Sequence, residues 1–243
     1  FDVAILQKKT DNVEVLCVGG DTQLGGQDLD NCILDYIFEV LRKDYHYDAK
    51  MDPDDKRRLR IKCEEAKKKL SLVNEAVVTI NGMVATHPRI IITLTRTLFE
   101  EKSSKLFKKT IDILHNCLID SKISKQLIQE VILCGGSTRI PKIQEMISEY
   151  FGGKDLNMFV NPDECVAEGA ALQAAMLSTS KKQNIEQLEM VDVVPLSLGF
   201  GRLGSEMVVI IRRNTKVPTK GFHVFVNKEK DETSFSVGIY EGE

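Results

Sequence analysis

Residues 131–141 read VILCGGSTRIP. A short apolar run stops on Gly135-Gly136, and Ser137, Thr138, Arg139, Ile140 and Pro141 follow. The run predicts a buried strand, and the glycines predict a sharp turn with no Cβ in the way of an approaching ligand. Pro141 suits the first turn of a helix, where its missing N–H costs nothing. Ser137 or Thr138 is the expected cap, and the free N–H groups at such a helix start suit an anion or a polar ring. The unit is therefore strand, glycine turn, helix, as in an α/β domain. The turn lacks the Lys-Ser/Thr of a Walker loop and the spacing of GxGxxG, so alone it is a plain βα connection.

A second glycine turn strengthens the case. Leu24-Gly25-Gly26 opens a helical pattern with Ile33, Leu34, Ile37, Phe38 and Leu41 on one face and Asp28 and Asp30 in its first turn. A basic helix follows, predicted to start at Asp52-Pro53, with Leu59, Cys63, Ala66 and Leu70 apolar at helical spacing. Lys67, Lys68 and Ser71 lie on one side of it, with Glu64 a turn earlier. Three successive lysines are ordinarily a solvated face, which is the reading for Lys69. Lys67 and Lys68 flanked by Glu64 and Ser71 can instead grip a nucleoside, ammonium near phosphate and stem against a base. NPDECVAEGAA starts a further helix, running over about 161–177, with Asp163 placed to orient a basic side chain.

Elsewhere FDVAIL and VEVLCVGG read as strands around the turn KKTDN, and EAVVTINGMVATHPRIIITL as a hairpin turning near Asn81-Gly82. Residues 95–120 and 141–150 read as helices. STSKKQNIEQ is polar and breaks the helical period, which places a linker there. MVVIIRR, FHVFVNK and SFSVGIY then alternate as short strands, an all-β piece. The expected division is 1–180, a linker at 181–192, and 193–243.

Composition excludes several classes. The 243 residues are 42% hydrophobic and 28% charged with no Trp and a net charge of −3, an ordinary globular balance with no bulk field to recruit nucleic acid. No apolar run approaches the roughly 20 residues that span a bilayer. Cys17, Cys32, Cys63, Cys117, Cys134 and Cys165 are scattered without a CxxC pair, which argues against zinc and for a reducing compartment. The chain lacks an initiator Met and opens in mid-strand, so a piece of a longer protein is expected.

VILCGGSTRIPKIQEMI, GDTQLGGQDLDN, NPDECVAEGAALQAAML, DVVPLSLG and NTKVPTK together resemble the 70-kDa heat-shock chaperone family, along the whole chain and in the family's order. The resemblance implies an α/β actin-like ATPase fold, of which 1–180 would be the second lobe, followed by the first strands of a peptide-binding β-sandwich. Carried over residue by residue, the adenosine pocket falls on Gly26, Glu64, Lys67, Lys68, Ser71, Gly135, Gly136, Ser137, Arg139, Ile140 and Asp163. Arg139 and Lys68 would sandwich the adenine, Asp163 would hold Arg139, and Glu64 and Lys67 would meet the ribose. Asp2 would lie near magnesium and the phosphates. Leu203, Phe225, Lys228 and Phe235 would line the peptide site. The implied cofactors are ATP or ADP with magnesium. The implied partners are unfolded polypeptides, J-domain co-chaperones and nucleotide-exchange factors, in the cytoplasm or nucleus, with no nucleic acid and no membrane.

The sequence departs from the family at several points. Lys68 stands where Arg is usual, Gln27 where Glu is, and Glu189 interrupts a leucine run in the linker. Phe235 and Lys228 would crowd and charge the peptide pocket. Three function classes stay open: a piece of an ATP-driven chaperone, a nucleotide-binding regulator or decoy with little ATPase activity, and another enzyme of actin-like architecture. The last leaves PLSLG and NTKVPTK unexplained. The longer parent of the first class would be an ATPase; this chain alone, with one wall of the cleft, is expected not to turn over ATP.

Overall fold

The computed structural model describes residues 1–10, 12–47, 52–84, 86–178, 189–201, 206–226, 233–234 and 236–243. The chain divides into two units, and it is mixed α/β with small sheets. The first unit holds Phe1, Asp21–Ile113 and Ser124–Ala174; the second holds Asp2–Gly20, Leu114–Ile123 and Ala175–Glu243.

In the first unit, α1 (Gly26–Tyr45) buries Ile33, Leu34, Ile37 and Leu41 of the predicted stripe, while Phe38 is only partly buried against the same core. α2 (Pro53–Leu70) begins as expected, with the Asp52 carboxylate accepting the Asp54 N–H at 2.8 Å and Pro53 at the first position. It buries Leu59, Cys63, Ala66 and Leu70. Against these helices lies an antiparallel hairpin, β3 (Glu75–Val84) and β4 (His87–Thr95), whose inward residues Ala76, Val78, Ile80, Ile90, Ile92 and Leu94 alternate along the strands. α3 (Arg96–Ser121) follows directly. The Arg96 guanidinium donates to the carbonyls of Leu70 and Val73 at 2.7 and 3.1 Å, satisfying the end of α2.

Several expectations need correction. The hairpin does not turn at Asn81-Gly82: β3 continues to Val84, and the register shifts between Asn81 and Val84. Gly82 has φ +68°, so its conformational freedom serves a bulge rather than the turn. VILC forms no ladder. A single parallel bridge joins Ile132 to Asn157, Leu133 is buried and Ile132 is exposed. Neither Ser137 nor Thr138 caps a helix. Gly136–Arg139 form a 3-10 turn, and Ile140 occupies the N-cap of α4 (Pro141–Tyr150) with no side-chain hydrogen bond. α5 (Cys165–Leu177) starts later than expected, because Asn161–Glu164 form a separate turn whose Asn161 carbonyl accepts from Glu164 and Cys165. None of its residues is buried.

In the second unit, β1 (Asp2–Lys8) and β2 (Asn12–Gly20) pair antiparallel. β5 (Glu189–Val191) adds in parallel to β2, with Asn12 opposite Glu189 and Glu14 opposite Val191. Asp192 and Val194 then exchange backbone hydrogen bonds with residues 214–217. Glu14 receives Lys9 at 2.5 Å and Lys216 at 2.8 Å, and these ammonium partners hold its carboxyl down at about 2. Cys17 and Cys117 are buried with their Sγ atoms 3.3 Å apart. The C-terminal strands form one three-stranded sheet, β7 (Met207–Ile211), β6 (Leu198–Gly201) and β8 (Ile239–Glu241). FHVFV, expected as a strand, makes no ladder at 221–226, and among the described residues of SFSVGIY strand begins at Ile239. Among the described residues no helix is long and apolar enough to cross a membrane.

Candidate nucleoside-binding site

Three segments of the first unit converge at Gly26. A Cβ built there would sit 3.1 Å from Lys67 Nζ and 3.3 Å from Ser137 Oγ, so with any larger residue the Lys67 ammonium and the Ser137 hydroxyl would have to give by a few tenths of an ångström. Gly25 starts α1 with its N–H held at 2.8 Å by Asp28, which fixes the backbone of the turn. The Gly26 carbonyl accepts from Lys67 Nζ at 2.8 Å. The same ammonium pairs with Asp30 Oδ1 at 2.9 Å, and both side chains are buried. Burial pushes the Asp30 carboxyl up, with the Lys67 ammonium working against it. Asp30 is the residue that sequence reasoning left out of the site. Its signal was a carboxylate between Leu29 and Ile33, on the inward side of an amphipathic helix.

Lys68 and Glu64 form an i,i+4 pair at 2.7 Å on the exposed side of α2. Each shifts the other: the Lys68 hydrogen bond lowers Glu64, and the Glu64 hydrogen bond raises Lys68. Ser71 is the residue just beyond α2, its hydroxyl donating weakly to the Lys67 carbonyl at 3.5 Å.

The Gly135 turn is built around Pro162 and Asp163. Gly135 has φ +88°, open to glycine and strained for any other residue, and its N–H donates to the Pro162 carbonyl at 2.6 Å. The Thr138 hydroxyl donates back to the Gly135 carbonyl at 2.7 Å, closing the 3-10 turn. A Cβ on Gly136 would meet Asp163 Oδ1 at 3.0 Å. The other carboxylate oxygen of Asp163 accepts from Arg139 Nη2 at 2.7 Å and Nε at 3.2 Å, and Arg139 Nη2 also reaches Asn161 Oδ1 at 3.2 Å. Asn161 was another residue missed; the Asn-Pro-Asp turn signal was its only trace. Ile140 is buried below.

The structure thus brings together Gly26, Lys67 and Ser137, pairs Glu64 with Lys68, and gathers Gly136, Arg139 and Asp163. A guanidinium held along one edge, with half of its side chain still exposed, offers a flat cationic face on which a planar ring can stack. Asp2 is an exposed residue at the start of β1, in the second unit. Among the described residues no three His, Cys, Asp or Glu side chains converge in a way that could hold a metal. Phe225 packs against Phe200 and His223, ring centroids 4.7 and 5.0 Å away. Leu203, Lys228 and Phe235 lie outside the described residues.

The family model described as "Hsp70 protein" matches residues 1–243. "Heat shock cognate 70 kDa protein 3" of Dictyostelium discoideum is 40% identical over 243 residues, covering 100% of the chain and 38% of that relative. "Heat shock 70 kDa protein" of Neurospora crassa is 40% identical over 245 residues, 100% of the chain and 38% of the relative. "Ribosome-associated molecular chaperone SSB" of Candida glabrata is 40% identical over 244 residues, 100% of the chain and 40% of the relative. The chain therefore spans about two-fifths of the length of these curated relatives.

Proposed function

The chain belongs to the Hsp70 family, and on that premise we propose that it supplies one wall of the adenine-nucleotide site of an ATP-dependent chaperone. The observation that carries this reading is the Arg139 guanidinium, held by Asp163 and Asn161 beside the Gly135-Gly136 turn. In this reading residues 1–180 belong to the second lobe of an actin-like domain, 181–192 to the linker and 193–243 to a peptide-binding β-sandwich. Adenine stacks on Arg139 with Lys68 opposite. Gly135 and Gly136 lie under the ribose and first phosphate, and Glu64 and Lys67 meet the ribose hydroxyls. Magnesium would accompany the phosphates, but the described residues offer no ligand set for it beyond the single carboxylate of Asp2, and no step is derived through it. The longer protein would couple hydrolysis to its grip on unfolded polypeptides. It would work with J-domain co-chaperones and exchange factors, in a reducing, cytoplasmic setting.

The pairing of β5 with β2 supports the coupling part of this reading, because it ties the linker residues Glu189–Val191 into a sheet. Arg213 strengthens the argument by reaching Asp120 at 2.9 Å. A second reading, a nucleotide-binding regulator with little ATPase activity, is favoured by one observation. Lys68, standing where the family usually has Arg, spends its ammonium on Glu64.

Titration of ADP into the chain, alone and as Arg139→Ala, tests the site. Weak saturable binding that Arg139→Ala abolishes is expected, with no magnesium-dependent phosphate release. Absence of saturable binding, or equal binding by Arg139→Ala, would overturn the assignment.

A further inference from the structure

Of the six cysteines, two stand beside one backbone carbonyl at the candidate site. Cys134 immediately precedes Gly135, whose N–H donates to the Pro162 carbonyl at 2.6 Å. Cys165 opens α5, and its Sγ donates to that same carbonyl at 3.7 Å. The bridge between Ile132 and Asn157 holds the two segments side by side just before this point. Cys134 is exposed and Cys165 half-buried, so a small oxidant can reach the pair. The other close pair, Cys17 and Cys117, has both residues buried, and Cys63 is buried with its thiol pushed up to about 12.

We propose that Cys134 and Cys165 form a reversible disulfide, driven by a hydroperoxide, that fastens the Gly135–Arg139 turn to the start of α5. Cys134, the exposed thiol, loses its proton and attacks the peroxide. An S–O bond forms, the O–O bond breaks and hydroxide leaves, giving a sulfenic acid. The Cys165 thiolate then attacks that sulfur; the S–S bond forms, the S–O bond breaks, and a second hydroxide leaves. Two thiols are oxidised and one hydrogen peroxide becomes two waters, the thiol protons neutralising the hydroxides. A dithiol reverses the bond by exchange. Burial and the Cys165 thiol beside it push Cys134 up, so its thiolate is scarce at neutral pH and sustained rather than brief peroxide exposure is required. The inference stands whether or not a nucleotide occupies the site.

The test is made on the native chain, exposed to hydrogen peroxide, blocked with N-ethylmaleimide and digested with trypsin. Peptide 126–139 linked to peptide 155–181, two hydrogens lighter than their sum and released by dithiothreitol, is the expected product. Cys165→Ser should instead accumulate a Cys134 sulfenic acid that dimedone traps. Amide exchange at Gly136–Arg139 should slow several-fold on oxidation and recover on reduction. A Cys17–Cys117 link forming first, or oxidation of Cys134 without the link, would overturn the pairing. Unchanged exchange with the link present would overturn the fastening. Absence of ADP binding in either redox state, with the link forming on oxidation, would count against the nucleotide reading and leave this one intact.

Discussion

Arg139 donates to a single oxygen of Asp163, from Nη2 at 2.7 Å and from Nε at 3.2 Å, while the second oxygen of that carboxylate lies against Gly136. One carboxylate thus positions both a cationic face and the glycine turn beside it. Because both side chains are about half exposed, the pair adds little to stability, about 0–1 kcal/mol. Its value is orientation.

Asp163→Ala is therefore expected to weaken adenine-nucleotide binding by roughly tenfold, corresponding to about 1.4 kcal/mol, while leaving the thermal midpoint almost unmoved. Calorimetric titration and a melting curve on the same sample separate the two effects. A large drop in the midpoint with unchanged affinity would make the pair a structural clamp instead.

Lys67 and Asp30 behave in the opposite way, because both are buried. Lys67→Met leaves a carboxylate without its partner and strips a hydrogen bond from the Gly26 carbonyl. The expected cost is about 3–5 kcal/mol, as for breaking a buried ion pair by removing one side. Asp30→Asn in the same chain should recover a large part of it. Moreover, the Asp30 carboxyl is raised in the folded chain, so in Lys67→Met the loss should shrink as pH falls and the carboxylate takes up a proton. Denaturant titration at two pH values checks both; a double variant no better than the single would sink the argument.

These two pairs show what the sequence made legible. Helices α1 and α2 could be read because their apolar residues recur at helical spacing and Asp52-Pro53 marks a start. The glycine turns could be read because few contexts need two glycines in a row. Asp30 could not, since a buried carboxylate is recognisable only once Lys67 is seen to arrive from another helix. Gly82 was misread for a related reason: positive φ serves turn and bulge alike, and register decides between them. VILC and FHVFV carry strand-like residues, but a strand needs a neighbour to pair with, and local pattern does not supply one.

Glu14 sets a pH dependence in the second unit. Lys216 and Lys9 hold its carboxyl at about 2, below the ordinary 4.5. A depressed folded value means that its contribution is complete above pH 4.5 and disappears as pH falls towards 2. Protection of the Val193 and Val217 amides, which border Lys216, measured against the intrinsic exchange rate at each pH, should therefore fall through that window in the native chain. In Glu14→Gln the two amides should exchange faster already at neutral pH and respond less to acid. Equal acid sensitivity in both chains would show that another group controls this contact.

Asn214 ties the segment after the linker to β2 with an arrangement that only a few residues can make. It has φ +61°, and its Oδ1 accepts from the Val18 N–H at 3.3 Å. β5 covers the edge of β2 only from Asn12 to Glu14, so this side-chain oxygen takes the place of a strand carbonyl further along. Meanwhile its own N–H donates to the Val194 carbonyl at 2.8 Å. Replacement by Ala keeps a Cβ in the left-handed conformation, a cost of about 1–2 kcal/mol, without the polar side chain that lets Asn tolerate it, and leaves the Val18 N–H without that acceptor. Replacement by Gly removes the strain but also the acceptor, so it isolates the hydrogen bond, worth about 0.5–1.5 kcal/mol. Exchange of the Val18 amide should rise in both variants. Exchange at Val194 and Thr215 should rise mainly in Asn214→Ala. Identical behaviour of the two variants at Val194 and Thr215 would mean that backbone strain plays no part, and an unchanged Val18 amide in both would mean that the Asn214 oxygen does not hold it.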